Sequence, residues 1–134
     1  MTIDTSNIII SSHYSRRRRT TSYSIHERGN KEIRIGKIVL HKRDHEDYCL
    51  CVQSIRIKSE YQRQGFGTLL MQKAARKARR GREFLIIDSP ESHVKFFIKI
   101  AERLKEGSKI KNFTTIKKSC LDGSIQKRVV YKTR

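Results

Sequence analysis

The chain has 134 residues, a length that suits a single domain, 1–134, with one hydrophobic core. Its 31 Lys and Arg residues face 13 Asp and Glu, for a net charge of +18, and 36% of its residues are hydrophobic. No apolar stretch approaches the ~20 residues of a transmembrane helix. The apolar run Ile8–Ile10 precedes the basic cluster instead of following it, unlike a signal peptide. We therefore expect a soluble, intracellular, cytoplasmic protein without a membrane partner.

The excess of positive charge indicates a polyanionic partner. Solubility alone needs a net charge of magnitude ~2–8 in a small domain, and the larger excess here adds self-repulsion that an anionic partner would relieve. Nucleic acid, an acidic protein surface and an anionic cofactor all fit this charge. A surface that is charged only for solubility remains an alternative.

The three cysteines, Cys49, Cys51 and Cys120, form no metal or disulfide pattern. Cys49 and Cys51 lack the two-residue spacing of a zinc site, and no second Cys/His pair follows at a suitable distance. We therefore expect no metal. The odd number of cysteines favours a reducing compartment.

The first half of the chain reads as strands. We predict strands over 7–11, 23–26, 33–40 and 48–58, with a turn at Gly29–Asn30. The last of them is rich in Val, Ile, Cys and Tyr. The segment 12–21 contains a run of four arginines without apolar periodicity, so we predict a loop or mobile arm there.

The second half alternates helices with strands. Apolar residues at helical spacing predict a helix over 65–80, which Gly81 ends. A buried strand follows over 84–87, and Ser89-Pro90-Glu91 is typical of a helix start. That second helix should end at Gly107. Two strands over 109–117 and 124–132 should then form a hairpin. The strand–helix–strand unit 48–87 should be a right-handed crossover with parallel strands.

Two glycines open the first helix directly after a strand. The N–H groups of a helix N-terminus lack intrahelical partners, and the dipole there is positive, so the position suits a phosphate. Gly65 and Gly67 let a pyrophosphate approach the backbone, and Arg63 adds a cation. A dinucleotide fingerprint would need a third glycine where Leu70 stands, and the Gly-Lys-Ser/Thr of a P-loop is absent.

The segment Gln62-Arg63-Gln64-Gly65-Phe66-Gly67 resembles the signature of the GNAT superfamily of N-acetyltransferases, Gln/Arg-x-x-Gly-x-Gly/Ala. The resemblance implies an α/β (α+β) fold: a mixed central sheet with a βαβ acyl-CoA-binding core, two main helices and a C-terminal β-hairpin. It implies acetyl-CoA as co-substrate and transfer of the acetyl group to a primary amine. The backbone of Ile55 and Ile57 would pair with the pantetheine arm. The pyrophosphate would lie on the turn formed by Gln62, Arg63, Gln64, Gly65, Phe66, Gly67 and Thr68.

The chain departs from that family at three places. No carboxylate lies within 48–58, where many members carry a Glu that acts as base. The position of the Tyr that protonates the leaving thiolate falls on Phe97 or Ile98. Only about ten residues separate the first two strands, where the family usually has two helices, so the acceptor side should be open. Asp88 and His93 are the candidate catalytic substitutes, acting directly or through an ordered water.

Basic residues form a second candidate site for nucleic acid or another polyanion. Lys73, Arg76, Lys77 and Arg80 make one stripe along the first helix, and the arginine run adds Arg16, Arg17, Arg18 and Arg19. Together they could follow phosphates, or they could be solvated. The alternative function is therefore a catalytically weak or inactive module that binds nucleic acid. The nearest aromatics, Phe66 and Phe84, should be buried, so we expect no base-stacking platform. Phe96 and Phe97 should also be core residues.

Overall fold

The structure is a computed structural model, and it describes residues 7–42, 48–119 and 121–133. The chain forms seven strands and two α-helices in these ranges. Their bounds are β1 (Ile8–Ser15), β2 (Thr20–Glu27), β3 (Asn30–His41), β4 (Cys49–Ile57), α1 (Phe66–Arg80), β5 (Phe84–Pro90), α2 (Val94–Glu106), β6 (Asn112–Ser119) and β7 (Ile125–Lys132). Short 3-10 turns at Ser59–Tyr61 and Glu91–His93 precede the two helices.

The seven strands form one mixed sheet in the order β1-β2-β3-β4-β5-β7-β6. Neighbouring strands are antiparallel except β4 and β5, which are parallel. Helix α1 makes the crossover between that parallel pair, and β6 and β7 form the C-terminal hairpin. This arrangement confirms the predicted α/β (α+β) class, the βαβ core and the hairpin.

The core lies where the two helices pack against the sheet. Helix α1 buries Leu70, Met71 and Ala74, and α2 buries Phe97 and Leu104, against side chains of the central strands. A fully buried side chain of the larger apolar types stabilises the fold by about 1.5–3 kcal/mol. The packing therefore fixes both helices relative to the ends of β4 and β5.

Tyr131 on β7 ties α2 to the sheet. Its side chain is fully buried, and its hydroxyl donates a hydrogen bond of 2.5 Å to the carbonyl oxygen of Phe97. Burial raises the pKa of Tyr131 well above its ordinary value, because the phenolate would lose its hydration. Tyr131 therefore acts in packing.

The prediction of a loop over 12–21 was wrong on both sides of Arg16–Arg19, and the mobility of the segment stays a prediction. Residues 12–15 belong to β1 and residues 20–21 to β2, so only Arg16–Arg19 form the turn of a hairpin. The apolar pattern was missing because β1 is an edge strand with mostly exposed side chains, so it needs no alternation.

The predicted start of the second helix was also wrong. Ser89 and Pro90 continue β5 and pair with Lys127 and Gln126 of β7, so α2 begins only at Val94. The Ser89 side chain is buried, and its hydroxyl donates to the carbonyl oxygen of Pro90 at 3.0 Å instead of capping a helix.

Two expected core aromatics are exposed. Phe84, at the first position of β5, keeps 45% of its surface accessible, and Phe96 on α2 keeps 47%. Phe66 and Phe97 are buried, as predicted. In the part of the chain that the structure describes, neither helix is long and apolar enough to cross a membrane.

Candidate active site

A cleft opens where the two parallel strands separate. Strands β4 and β5 pair only where Cys49–Val52 of β4 lies beside Phe84–Ile87 of β5. Beyond that point β4 runs on to Ile57 beside β3, while β5 runs on to Pro90 beside β7. The cleft has a volume of about 860 Å³ and is lined by both strands, the turn before α1 and one face of α2. Beyond Val52, one edge of β4 is therefore left without a strand partner among the residues that the structure describes.

A β-bulge lies at the mouth of this gap. The register between β3 and β4 shifts at Val39 and Leu40, which pair with Ser54 and Val52 and leave Gln53 as the extra residue. Bulges bend a strand and re-aim its side chains. Gln53 and Ser54 are exposed and line the cleft, so the strand turns polar groups toward the gap.

The turn from Gln62 to Thr68 forms the floor of the cleft. Arg63 and Gly65 have φ of 64° and 86°, in the left-handed region, and such turns direct successive N–H groups toward one point. The first bond of α1 runs from the Leu69 N–H to the Gly65 carbonyl oxygen, at 3.1 Å. The Gln62 N–H donates to the Ser59 carbonyl oxygen at 3.3 Å, so the N–H groups from Arg63 to Thr68 are the ones that can meet an anion.

Side chains hold this turn in place. The Gln62 amide donates to the carbonyl oxygen of Ile57 at 3.0 Å, and the Gln64 amide donates to that of Glu60 at 3.4 Å. Gln62 also lines the cleft, whereas Gln64 is not among the lining residues. Gln64 thus stabilises the turn through this hydrogen bond without lining the cleft. The other members of the predicted cofactor set line the cleft: Ile55, Ile57, Arg63, Gly65, Phe66, Gly67 and Thr68.

Gly67 permits the close approach of α2. A Cβ atom at this position would lie 2.8 Å from Cζ of Phe96, inside van der Waals contact. The exposed ring of Phe96 therefore covers the first turn of α1 and forms one wall of the cleft, while also contacting Phe97 edge-on at a centroid distance of 5.1 Å. The signature glycine thus has a packing reason in this chain.

Helix α2 supplies cleft residues that the sequence reasoning missed. Phe96, Lys99, Ile100 and Arg103 line the cleft at helical spacing. Lys99 and Arg103 are exposed one turn apart, so they place two positive charges along the wall. The sequence signal that could have identified them is their helical spacing at positions 96, 99, 100 and 103. These positions form a face of α2 next to the apolar face that packs into the core.

Both proposed catalytic residues line the cleft, in different surroundings. The Asp88 carboxylate accepts hydrogen bonds from Nε and Nη2 of Arg128 on β7, at 2.8 and 3.2 Å, and both side chains are largely buried. His93 is exposed at the rim and ends the 3-10 turn before α2. Asp88 is thus already committed to an ion pair, while His93 faces solvent.

The predicted polyanion residues do not line the cleft. Arg16, Arg17, Arg18 and Arg19 form the exposed β1–β2 turn, and Lys73, Arg76, Lys77 and Arg80 lie on the outer side of α1, with Lys73 and Lys77 partly buried. The structure therefore brings the catalytic set and the cofactor set, except Gln64, to one cleft and leaves the basic set outside it. Within residues 7–42, 48–119 and 121–133, no group of three His, Cys, Asp or Glu side chains is placed to hold a metal ion.

Comparison with known proteins identifies the class of this fold and cleft. The profile of the acetyltransferase (GNAT) family matches residues 5–97, more than half of the chain. The chain therefore belongs to the GNAT acetyltransferase family. No curated protein sequence matches it significantly.

Solved structures of the same fold agree with this assignment. An IAA acetyltransferase from Bacillus cereus superposes with a TM-score of 0.63 and 14% identity, over 92% of this chain and 97% of that one. An acetyltransferase from Bacillus subtilis in complex with CoA gives 0.63 and 14%, over 94% and 97%. The ribosomal-protein-S18-alanine N-acetyltransferase from Escherichia coli gives 0.63 and 16%, over 93% and 92%. At sequence identities this low, the structural likeness shows a shared fold and nothing finer.

Proposed function

We propose that this protein is an acyl-CoA-dependent N-acetyltransferase that moves an acetyl group from acetyl-CoA to a primary amine. The observation that carries the proposal is the cleft between β4 and β5, whose floor is the glycine turn at the N-terminus of α1. The Bacillus subtilis structure of the same fold holds CoA, which supports the choice of ligand.

The residues of the cleft fit the chemistry of CoA. The amides from Arg63 to Thr68 and the Arg63 guanidinium suit a pyrophosphate, and the free edge of β4 offers N–H and C=O groups to an amide-bearing arm. Ile55 and Phe96 supply apolar walls. A cavity of about 860 Å³ also falls in the size range of ligand sites, roughly 300–1,000 Å³.

The transfer itself needs positioning and one proton acceptor. When the amine nitrogen attacks the thioester carbonyl, a C–N bond forms and the C–S bond breaks. The nitrogen gives up one proton and the departing thiolate takes one, so no other reactant is required. An N–H on the free edge of β4 beyond Val52 would donate to the developing oxyanion.

His93 is the residue we assign to the proton. It carries the one imidazole among the described residues that line the cleft, and an imidazole nitrogen can accept a proton from an attacking amine. Asp88 is less suited, because protonation would weaken its two hydrogen bonds to Arg128. We assign Asp88 a positioning role and His93 the role of base, directly or through water.

The structure bears on the chemical class of the acceptor amine. A four-residue turn, Arg16–Arg19, joins β1 to β2, so no helix stands between these strands to wall off an acceptor. An open acceptor side accommodates an amine carried on a macromolecule. The net charge of +18 favours an acceptor on an acidic or nucleic-acid-associated partner.

Two measurements on the purified protein test the proposal. Isothermal titration with acetyl-CoA should show saturable binding, and thiol release should follow when spermidine, lysine-containing peptides or peptide N-termini are added. His93→Gln should lower the rate of thiol release, while acetyl-CoA affinity stays unchanged. Absence of binding heat at high acetyl-CoA concentration would remove the proposal.

The alternative function is a GNAT-fold module that binds nucleic acid with weak or no catalysis. The missing Glu on β4 and the position of the basic residues outside the cleft favour it. It predicts no thiol release with any amine, even where acetyl-CoA binds. Turnover with one acceptor, abolished by a cleft substitution, decides against it.

A further inference from the structure

We propose that the end of the molecule opposite the cleft binds single-stranded nucleic acid, through arginines and lysine interleaved with exposed aromatic rings. We call this surface the basic pole. It consists of Arg16, Arg17, Arg18, Arg19, Lys42, Arg79, Arg80 and Arg82, with the aromatic residues Tyr14, Tyr48 and Phe84. The inference does not depend on acetyl transfer, because none of these residues lines the cleft.

Strand register brings the first part of the pole together. At the β1–β2 turn, Ser15 pairs with Thr20, Thr20 with His41, and His41 with Cys51. The arginine turn, Lys42 and the start of β4 therefore lie along one end of the sheet. The cleft lies at the other end, because β4 reaches it only after Val52.

Helix α1 brings the second part. The helix starts at the cleft and ends at Arg80, beside β2. Burial raises the pKa of Tyr23 on β2, and the positive charge of Arg80 lies close enough to lower it in part. Nζ of Lys42 lies 3.7 Å from Oε1 of Glu83, and the Phe84 N–H donates to the carbonyl oxygen of Tyr48 at 2.7 Å. Three separate stretches of sequence thus meet at one surface.

The pole is positive by its exposed side chains. All eight of its cations are exposed. Glu83, the one carboxylate between Arg79 and Phe84, is 8% exposed and lies against Lys42. Cations at the C-terminal end of a helix are also stabilised by the helix dipole. That effect fades within one turn, so it does not explain the presence of Arg16–Arg19 on a hairpin.

The aromatic rings decide which polyanion fits. Tyr14, Tyr48 and Phe84 keep 62%, 73% and 45% of their surface exposed. Single exposed apolar side chains are common. Three rings among eight cations, however, are the pairing that single-stranded nucleic acid uses: cations follow the backbone and rings stack on unpaired bases. An acidic protein surface would need only the cations. On this proposal, these exposed rings serve as the stacking platform that the sequence did not predict.

Fluorescence anisotropy of labelled oligo(dT) tests the proposal with the full chain. Wild type should bind, with log affinity falling linearly against log salt. R16Q/R17Q/R18Q should reduce that slope by about 2, because each contact to single-stranded phosphate contributes about 0.7. Y48A/F84A should weaken binding at least about fivefold while leaving the salt slope unchanged.

A matched control removes three exposed cations from outside the pole, R34Q/K95Q/K117Q, and keeps the same net charge as the first variant. It should retain wild-type affinity to within about twofold, since none of its positions belongs to the pole. All variants should unfold at the wild-type urea midpoint, because every substituted side chain is exposed.

Four results would each overturn the proposal. The first is equal loss of affinity in the control and the arginine variant, which would mean diffuse charge. The second is unchanged binding in Y48A/F84A. The third is duplex DNA bound as tightly as oligo(dT), because paired bases cannot stack on the rings. The fourth is polyglutamate bound as tightly as oligo(dT), which would indicate an acidic protein partner.

Discussion

Asp88 on β5 and Arg128 on β7 face each other in register, and the guanidinium donates to both carboxylate oxygens, at 2.8 and 3.2 Å. The pair lies on the side of the cleft where β5 leaves β4. It therefore fixes the strand end that would face an acceptor.

Breaking this pair should cost stability. Arg128→Ala leaves a largely buried carboxylate without its two charge-assisted hydrogen bonds, so the free energy of unfolding should fall by about 1–3 kcal/mol. Urea unfolding of D88A, R128A and the double variant measures the coupling between the two side chains. A double variant whose loss equals the sum of the single losses would show no coupling and contradict the expectation.

Gly65 should resist substitution by residues with a Cβ atom. Its φ of 86° lies in the left-handed region, so Gly65→Ala should destabilise by about 1–2 kcal/mol, and Gly65→Asn by less. Acetyl-CoA affinity should fall with the alanine variant, because the amides of the turn would reorient. Gly107→Ala is the matched control: its φ is −82° and its Cβ would make only ordinary contacts. An equal loss in both variants would argue against backbone strain.

Lys99 and Arg103 should recognise the phosphates of the co-substrate. K99Q/R103Q should weaken CoA binding about three- to tenfold, since each exposed charge contributes modestly. Titration with CoA and with 3′-dephospho-CoA shows which phosphate they meet. K95Q/K105Q removes two exposed charges from the same helix and should leave affinity unchanged. Equal weakening in both double variants would indicate only general charge.

Tyr131 should make the fold sensitive to alkali. Because burial raises its pKa in the folded chain above the ordinary 10.0, the unfolded chain loses the proton first, and stability falls as pH rises above 10.0. Tyr131→Phe should cost about 1 kcal/mol at neutral pH through the lost bond to Phe97. It should also flatten the alkaline decline, leaving the weaker dependence of Tyr23. Tyr14→Phe, an exposed control, should change neither property, and an unaltered decline in the Tyr131 variant would contradict the assignment.

Much of the fold could be predicted from local pattern. The apolar spacing from Phe66 to Ala78 and the buried run Leu85–Ile87 are short-range signals of helix and strand, and both are confirmed. The segment 12–21 failed because an edge strand carries no apolar alternation. Ser89 failed because pairing with β7, a contact distant in sequence, outweighs its tendency to cap a helix.

Part of the candidate site could also be predicted from sequence, because part of it is formed by residues close together in the chain. The glycine turn before α1 is local, so its residues could be named from sequence. The Asp88–Arg128 pair joins positions 40 residues apart, and no local pattern reports it. The exposure of Phe84 was hidden because an apolar residue at a strand's first position looks like core in sequence.

The separation of β4 from β5 leaves an open sheet edge in the middle of the fold, from Gln53 to Ile57. Open edges are where proteins pair with foreign strands and aggregate, and this one is recessed between α2 and the turn before α1. A pantetheine-like chain in the gap would act as a short substitute strand. The ligand-free protein should therefore exchange these amide hydrogens faster and aggregate more readily than the ligand-bound one. Ligand supply would then govern the solubility and lifetime of the chain as well as its chemistry.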